Sequence, residues 1–174
     1  MRLFVAAELP ESLELELAET SALLRGAVRG RYVSPDSFHV TLAFLGEVAG
    51  SRLGAAIDAV EAGCAGHGRI EASLGSLGYF GRMRTATLWQ AVESDGALDR
   101  LAASVRRELG AAGFSFDGKG FLAHVTLMRA ADLSHVELPM PHVTRGAIDT
   151  VTLFKSDLSG ARPVYEPIHS VALP

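Results

Sequence analysis

Cysteine is almost absent. Cys64 stands alone among 174 residues, so no internal disulfide and no cysteine-based metal centre can form. That usage fits a reducing compartment, and a cytoplasmic protein is expected. Lysine is scarce too: of 16 basic residues only Lys119 and Lys155 are lysines, and the rest are arginines, which suit planar, bidentate contacts to phosphate. No apolar run approaches the ~20 residues of a membrane span. Leu3–Ala7 is too short for a signal-peptide core and is followed at once by acids, so no membrane association is expected. The net charge of −4 argues against a bulk electrostatic grip on long nucleic acid, for which basic stripes are needed. It leaves room for a site that takes one phosphate at the end of a chain. Disorder is excluded by a hydrophobic fraction of 48%. The length predicts a single domain over residues 1–174, or two small lobes sharing a core.

Three segments carry helical periodicity. Pro10–Leu24 opens with a proline, tolerated in a first helical turn. Its Leu13, Leu15 and Leu17 also alternate as in a strand, but its length and its Leu, Glu and Ala content favour helix. Ser51–Ala62 places Leu53, Ile57 and Val60 on one face behind a serine able to cap. Gly96–Leu109 aligns Leu98, Leu101, Val105 and Leu109 in one stripe, with Asp95 before it and Gly110 after. Strands are expected over Arg2–Ala7, Ser37–Leu45, Arg69–Phe80, Thr85–Glu93, Gly120–Met128, Ala147–Phe154 and Val164–Val171. Gly78–Thr85 reads as the turn joining two of them. Strand and helix do not alternate regularly, so an α+β design of antiparallel sheets with helices outside fits better than a doubly wound parallel sheet. Leu133–Val143, with Pro139 and Pro141, reads as a loop able to edge a cleft.

One segment echoes another. His39-Val-Thr-Leu and His124-Val-Thr-Leu are identical and 85 residues apart, close to half the chain. A repeat at that spacing predicts two pseudo-symmetric lobes, each bringing one copy to a shared cleft. In a strand, residues i and i+2 share a face. His39 and Thr41 therefore project together, as do His124 and Thr126, with Val40, Leu42, Val125 and Leu127 turned to the core.

Such a pairing suits one type of chemistry. Histidine exchanges protons near neutral pH, and a threonine hydroxyl donates to an oxygen without competing for that proton. An in-line displacement at phosphorus needs a base behind the nucleophile and an acid behind the leaving oxygen. The hydroxyls can hold the non-bridging oxygens where charge accumulates. With both protons moved by histidine, neither metal nor cofactor is required. Two other readings compete. The repeat can be a core duplication without chemistry. It can also ligate a metal if His135 or His142 supplies a third donor, although His-x-Thr lacks the spacing that brings two ligands to one ion. His67 and His169 read as surface or strand-edge residues, and Cys64 as a packed thiol.

Paired His-x-Thr motifs, each followed by an apolar residue, resemble those of the 2H phosphoesterase superfamily. More closely, the chain resembles the RNA 2′,3′-cyclic phosphodiesterases of the LigT/ThpR type, formerly called 2′-5′ RNA ligases. The likeness includes Arg2-Leu-Phe-Val-Ala-Ala-Glu-Leu-Pro, His39 to Val48, Leu88-Trp89, Phe121 to Arg129, and Ser156-Asp-Leu to Tyr165. Ala123 stands where the family commonly has proline, and Tyr32 in a region where it has tryptophan. The resemblance implies hydrolysis of RNA 2′,3′-cyclic phosphate ends to 2′-phosphate ends, with weak 2′-5′ ligation as a side activity. It implies His39 as general acid on the ribose O3′, His124 as general base on water, and Thr41 and Thr126 on the phosphate oxygens. Arg129 matches a family arginine able to contact phosphate. Strict alternation, however, sends Arg129 to the core face unless a bulge re-aims it, and Phe44 likewise reads as core rather than as a base-stacking platform. Two alternatives stay open: a small cyclic nucleotide as substrate, or a non-catalytic nucleotide- or RNA-end-binding module using Arg82, Arg84 and Arg129. A self-contained two-lobed chain is expected to be a monomer.

Overall fold

The structure is a computed structural model that describes residues 1–174. The elements run β1 (Arg2–Ala7), α1 (Glu11–Leu24), β2 (Arg29–Tyr32), β3 (Val40–Glu47), α2 (Leu53–Cys64), β4 (Ile70–Phe80), β5 (Ala86–Glu93), α3 (Ala97–Ala111), β6 (His124–Asp132), β7 (Arg145–Ile148), β8 (Thr150–Asp157) and β9 (Val164–Ala172). They form two antiparallel sheets, ordered β3-β1-β8-β9 and β2-β6-β5-β4-β7. The α+β class is as expected.

The two lobes are not the two halves of the chain. The first sheet takes strands from both chain ends, whereas the second takes the middle of the chain plus β2. The helices are shared out in the same interleaved way. α1 leaves the first sheet and rests on the second, where Ser12 Oγ donates to the Arg145 carbonyl and Gly146 leaves room for Pro10 and Leu13. α2 and α3 pack on the first sheet and on each other. Their crossing is close because Gly63 faces Val105, where a Cβ would come within 2.6 Å of the Val105 Cα.

β1 shows why these residues make these elements. Leu3, Val5 and Ala7 enter the hydrophobic core, while Phe4 and Ala6 turn to the opposite face, the period-2 pattern of a strand. Its neighbours β3 and β8 cover both edges, so an apolar run can be buried throughout. In α3 the stripe Leu98, Leu101, Val105 and Leu109 is fully buried, as its spacing predicts.

Several boundaries differ from the sequence reading. Ser51 does not cap α2; it lies in a 3-10 turn over Gly50–Arg52, and Arg52 holds the cap position without a side-chain bond. At α3 it is Ser94 Oγ, not Asp95, that accepts the Leu98 N–H. Ala147–Phe154 is two strands, because the chain passes from one sheet to the other at Asp149. The segment before His124 is not strand, and β6 instead continues to Asp132. β2 is absent from the sequence reading. With only four residues, two of them arginine and one glycine, it carries no apolar pattern, and its pairing to β6 alone makes it a strand. Leu133–Val143 is a loop, as expected.

Candidate active site

β3 and β6 approach one another, and each brings one copy of the repeated motif: His124 opens β6, whereas His39 stands just before β3, after a 3-10 turn over Pro35–Ser37 that replaces the expected start of that strand. The two copies are built alike. The Nδ1–H of His39 donates to the Ser37 carbonyl at 2.7 Å, and that of His124 to the Leu122 carbonyl at 2.6 Å. In both copies the acceptor lies two residues upstream. This bond fixes the tautomer and leaves Nε2 of each neutral ring without a proton. On His39, Nε2 accepts from Thr41 Oγ1 at 3.0 Å.

Each strand bulges just after its threonine. Between β3 and β1, Thr41 pairs with Ala6 and Ala43 with Val5, leaving Leu42 extra. Between β6 and β5, Thr126 pairs with Trp89 and Met128 with Leu88, leaving Leu127 extra. A bulge resets the alternation that follows it. Leu42 and Ala43 are both buried, as are Leu127 and Met128. The next residue in each strand, Phe44 and Arg129, therefore returns to the histidine face, and both are exposed. This overturns the core assignment of Phe44, which is 48% exposed with its ring 5.8 Å from that of Phe4. It also turns Arg129 to the face of His124 and Thr126, against strict alternation. The carbonyls of the extra residues are satisfied from outside the paired ladder. Arg106 Nε donates to Leu42 at 2.7 Å, and the Val33 N–H donates to Leu127 at 2.9 Å.

Aromatic rings wall both imidazoles. Phe4 and Tyr165 flank His39 at centroid distances of 5.0 and 5.4 Å. Phe80 and Trp89 flank His124 at 5.2 and 5.8 Å. The sequence reading assigned none of these four to the site. Their signal was weak because single aromatics on alternating strands look like core residues until the register is known.

Burial in this setting acts on charge. His39 is pushed down to about 4, first by burial and then by the charges of Arg129 and His124, against the Ser37 carbonyl, which favours protonation. His124 is also lowered by burial and by Arg129, with the Leu122 carbonyl opposing. Arg129 thus acts on both rings, which places it with the twin motifs. Arg82 and Arg84 lie at the exposed turn between β4 and β5, and the charge of Arg84 lowers Asp132 at the far end of β6, behind the two bonds that Asp132 accepts from Ser134.

The remaining candidates fall elsewhere. No three His, Cys, Asp or Glu side chains gather as a ligand set, and His135 and His142 sit exposed on the loop. His169 Nε2 pairs with Glu61 at 2.8 Å, linking β9 to α2. Cys64 is a buried thiol pushed up to about 11 by burial.

Two antiparallel sheets of this strand order, each bearing one copy of the His-x-Thr motif, can be set beside known proteins. Residues 9–157 match the 2′-5′ RNA ligase superfamily, and the chain belongs to it. Among curated relatives, the Escherichia coli K12 protein named RNA 2′,3′-cyclic phosphodiesterase is 30% identical, over 99% of this chain and 96% of its own. The Thermotoga maritima protein of the same name is 27% identical, over 97% of this chain and 94% of its own. The crystal structure of E. coli LigT complexed with 3′-AMP superposes with a TM-score of 0.85 at 29% identity, covering 99% of this chain and 97% of that one. No helix is long and apolar enough to cross a membrane.

Proposed function

We propose that this protein hydrolyses the 2′,3′-cyclic phosphate at RNA ends to a 2′-phosphate through its two histidines. The observation that carries the reading is the matched anchoring of the two Nδ1 atoms, which leaves Nε2 as the unprotonated nitrogen of each neutral ring, free on His124 and holding only the Thr41 hydroxyl on His39. His124 Nε2 takes a proton from water as the water oxygen bonds to phosphorus. The P–O3′ bond breaks, and O3′ leaves with the proton of His39 Nε2. A 2′-phosphate monoester and a free 3′-hydroxyl result, and solvent exchange returns each ring to its starting state. Thr41, Thr126 and Arg129 hold the non-bridging oxygens as charge builds on them.

The unequal burial of the two rings supports this division of labour. His124 is the more accessible and its Nε2 carries no protein partner, as a base that must meet water requires. His39 is the deeper ring, and burial makes its protonated form a strong acid. Phosphate binding supplies the negative charge that favours that protonated form. A 5′-hydroxyl replacing water as nucleophile would give a 2′-5′ diester, the weak ligase direction.

The test is the product formed from a mononucleotide 2′,3′-cyclic phosphate, followed by phosphorus NMR. A 2′-phosphate is expected, with turnover lowered about 10²–10⁴-fold in either His39→Ala or His124→Ala. A 3′-phosphate would mean that O2′ rather than O3′ leaves, and would overturn the proposed cleavage. Binding without ring opening across the pH range would favour the non-catalytic module.

A further inference from the structure

β2 is the outer strand of the second sheet, and its Arg31 stands directly opposite Arg129 of β6. Residues opposite one another in an antiparallel ladder project to the same face. The next pair, Tyr32 and Met128, turns the other way: Met128 is fully buried and Tyr32 packs against the core. Arg31 therefore shares with Arg129 the face on which His124 and Thr126 stand.

Like charges directly opposite each other destabilise a ladder, and nothing on the protein offsets this pair. No ion pair of the chain involves either residue. Other arginines are tied down: Arg25 over the Tyr32 ring, Arg52 over the Phe114 ring, Arg106 on two carbonyls and Arg107 on Glu108. The acid of β6, Asp132, faces Arg29 instead, and its carboxylate accepts both the Ser134 hydroxyl and the Ser134 N–H. Charges on an outer strand do guard against edge-to-edge pairing. That accounts for a charge at position 31, but not for its sign. An acid there would guard the edge equally and would pair with Arg129.

We propose that Arg31 and Arg129 form a two-phosphate clamp, Arg129 on the reacting cyclic phosphate and Arg31 on the phosphodiester one nucleotide upstream. The ligand it fits is the end of an RNA strand rather than a free mononucleotide. The proposal rests on the function proposed above, since that function fixes which phosphate Arg129 meets. Arg31 lies one strand spacing, ~4.8 Å, further out than Arg129, on the open edge where a chain can leave the cleft. Two placed guanidiniums with bidentate geometry also explain how a chain of net charge −4 holds a polyanion without a basic stripe.

The test pairs Arg31→Gln, a change at an exposed position, with two measurements. The first is kcat/KM on cytidine 2′,3′-cyclic phosphate and on a trinucleotide with the same end. Wild type is expected to prefer the trinucleotide, and the ratio to fall roughly tenfold in Arg31→Gln, with Arg31→Lys in between. The second is fluorescence anisotropy of a labelled pentanucleotide ending in a 2′-phosphate, its last linkage either an ordinary diester or an uncharged methylphosphonate. The neutral linkage should weaken wild type by a similar factor and leave Arg31→Gln unchanged. The salt slope of binding should drop by about 0.7 in the variant. An equal loss on both substrates, or a neutral-linkage penalty that persists in Arg31→Gln, overturns the clamp. If wild type opens neither cyclic phosphate, the proposed activity fails, and anisotropy decides the clamp alone: a penalty confined to wild type upholds it, and no penalty ends it.

Discussion

Arg106 of α3 holds the carbonyl of Leu42, the residue bulged out of β3, with its Nε at 2.7 Å. Its Nη1 reaches the Lys119 carbonyl at 3.1 Å, and its guanidinium lies beside the rings of Phe116 and Phe121. One side chain thus braces the strand that follows His39 and the lead-in to His124. Arg106→Met keeps the apolar stem and removes the donors. An unsatisfied buried carbonyl costs about 1–3 kcal/mol, so a lower urea midpoint is expected. A purely structural brace would leave the active-site rings alone. Here kcat should fall several-fold, and the imidazole NMR signals of both histidines should move. Unchanged ring signals in a destabilised variant would reduce Arg106 to a stabilising residue.

Trp89 lies flat over Gly78 on the neighbouring strand, and a Cβ at that glycine would collide with the indole ring. The same indole flanks His124 at 5.8 Å. Gly78→Ala is therefore expected to push the ring toward the imidazole, at a cost of about 1–3 kcal/mol for the forced shift. Tryptophan fluorescence reports the displacement directly, since Trp89 is the single tryptophan. Turnover should fall with it. An unshifted emission spectrum with full activity would show that the strands absorb the methyl group instead.

What could be read from the sequence was whatever is local and periodic. The leucine stripe of α3, the apolar run of β1 and the duplicated His-Val-Thr-Leu all follow from residue spacing alone. The family resemblance rested on the same short stretches. What escaped depends on register. The bulges at Leu42 and Leu127 are set by pairing with β1 and β5, and no residue in either motif announces them. Hence Phe44 read as core, and Arg129 conflicted with its own strand. β2 escaped because four residues without an apolar face become a strand only beside β6. The interleaving of the lobes was likewise hidden, since a repeat at half the chain length says nothing about which strands each copy will join.

Burial of an uncharged His39 makes folding depend on pH. Its folded value, lowered by burial to about 4, lies below the ordinary 6.5. Between those values the unfolded chain binds the extra proton, so stability falls as pH drops from about 6.5 toward 4 and is unaffected above that window. The full difference is worth roughly 3 kcal/mol, and His124, also lowered by burial, acts in the same direction. Urea midpoints at pH 4.5 and 7 should differ clearly in wild type and less in His39→Asn. Equal pH dependence in the two proteins would mean that His39 is solvated and charged in the folded state.

In the proposed reaction, the pH dependence of catalysis would follow from the same two rings, with Arg129 as a third participant. Burial lowers both histidines, and the Arg129 charge lowers them further. The bell-shaped profile of kcat/KM, which reports the free enzyme, should peak on the acid side of 6.5. Its two limbs belong to the pair as a coupled system rather than to either ring alone. Arg129→Gln removes one source of repulsion and leaves burial in place, so both limbs should move toward higher pH while remaining below the ordinary histidine value. The loss of a phosphate contact should also lower kcat/KM at the optimum by roughly tenfold or more. Arg129→Lys keeps the charge without the fork, and should preserve the pH profile while losing part of the rate. The two variants thus separate the field of residue 129 from its grip on phosphate. A profile that does not move in Arg129→Gln would place its guanidinium outside the reach of both rings, against the bulge geometry that turns it toward them.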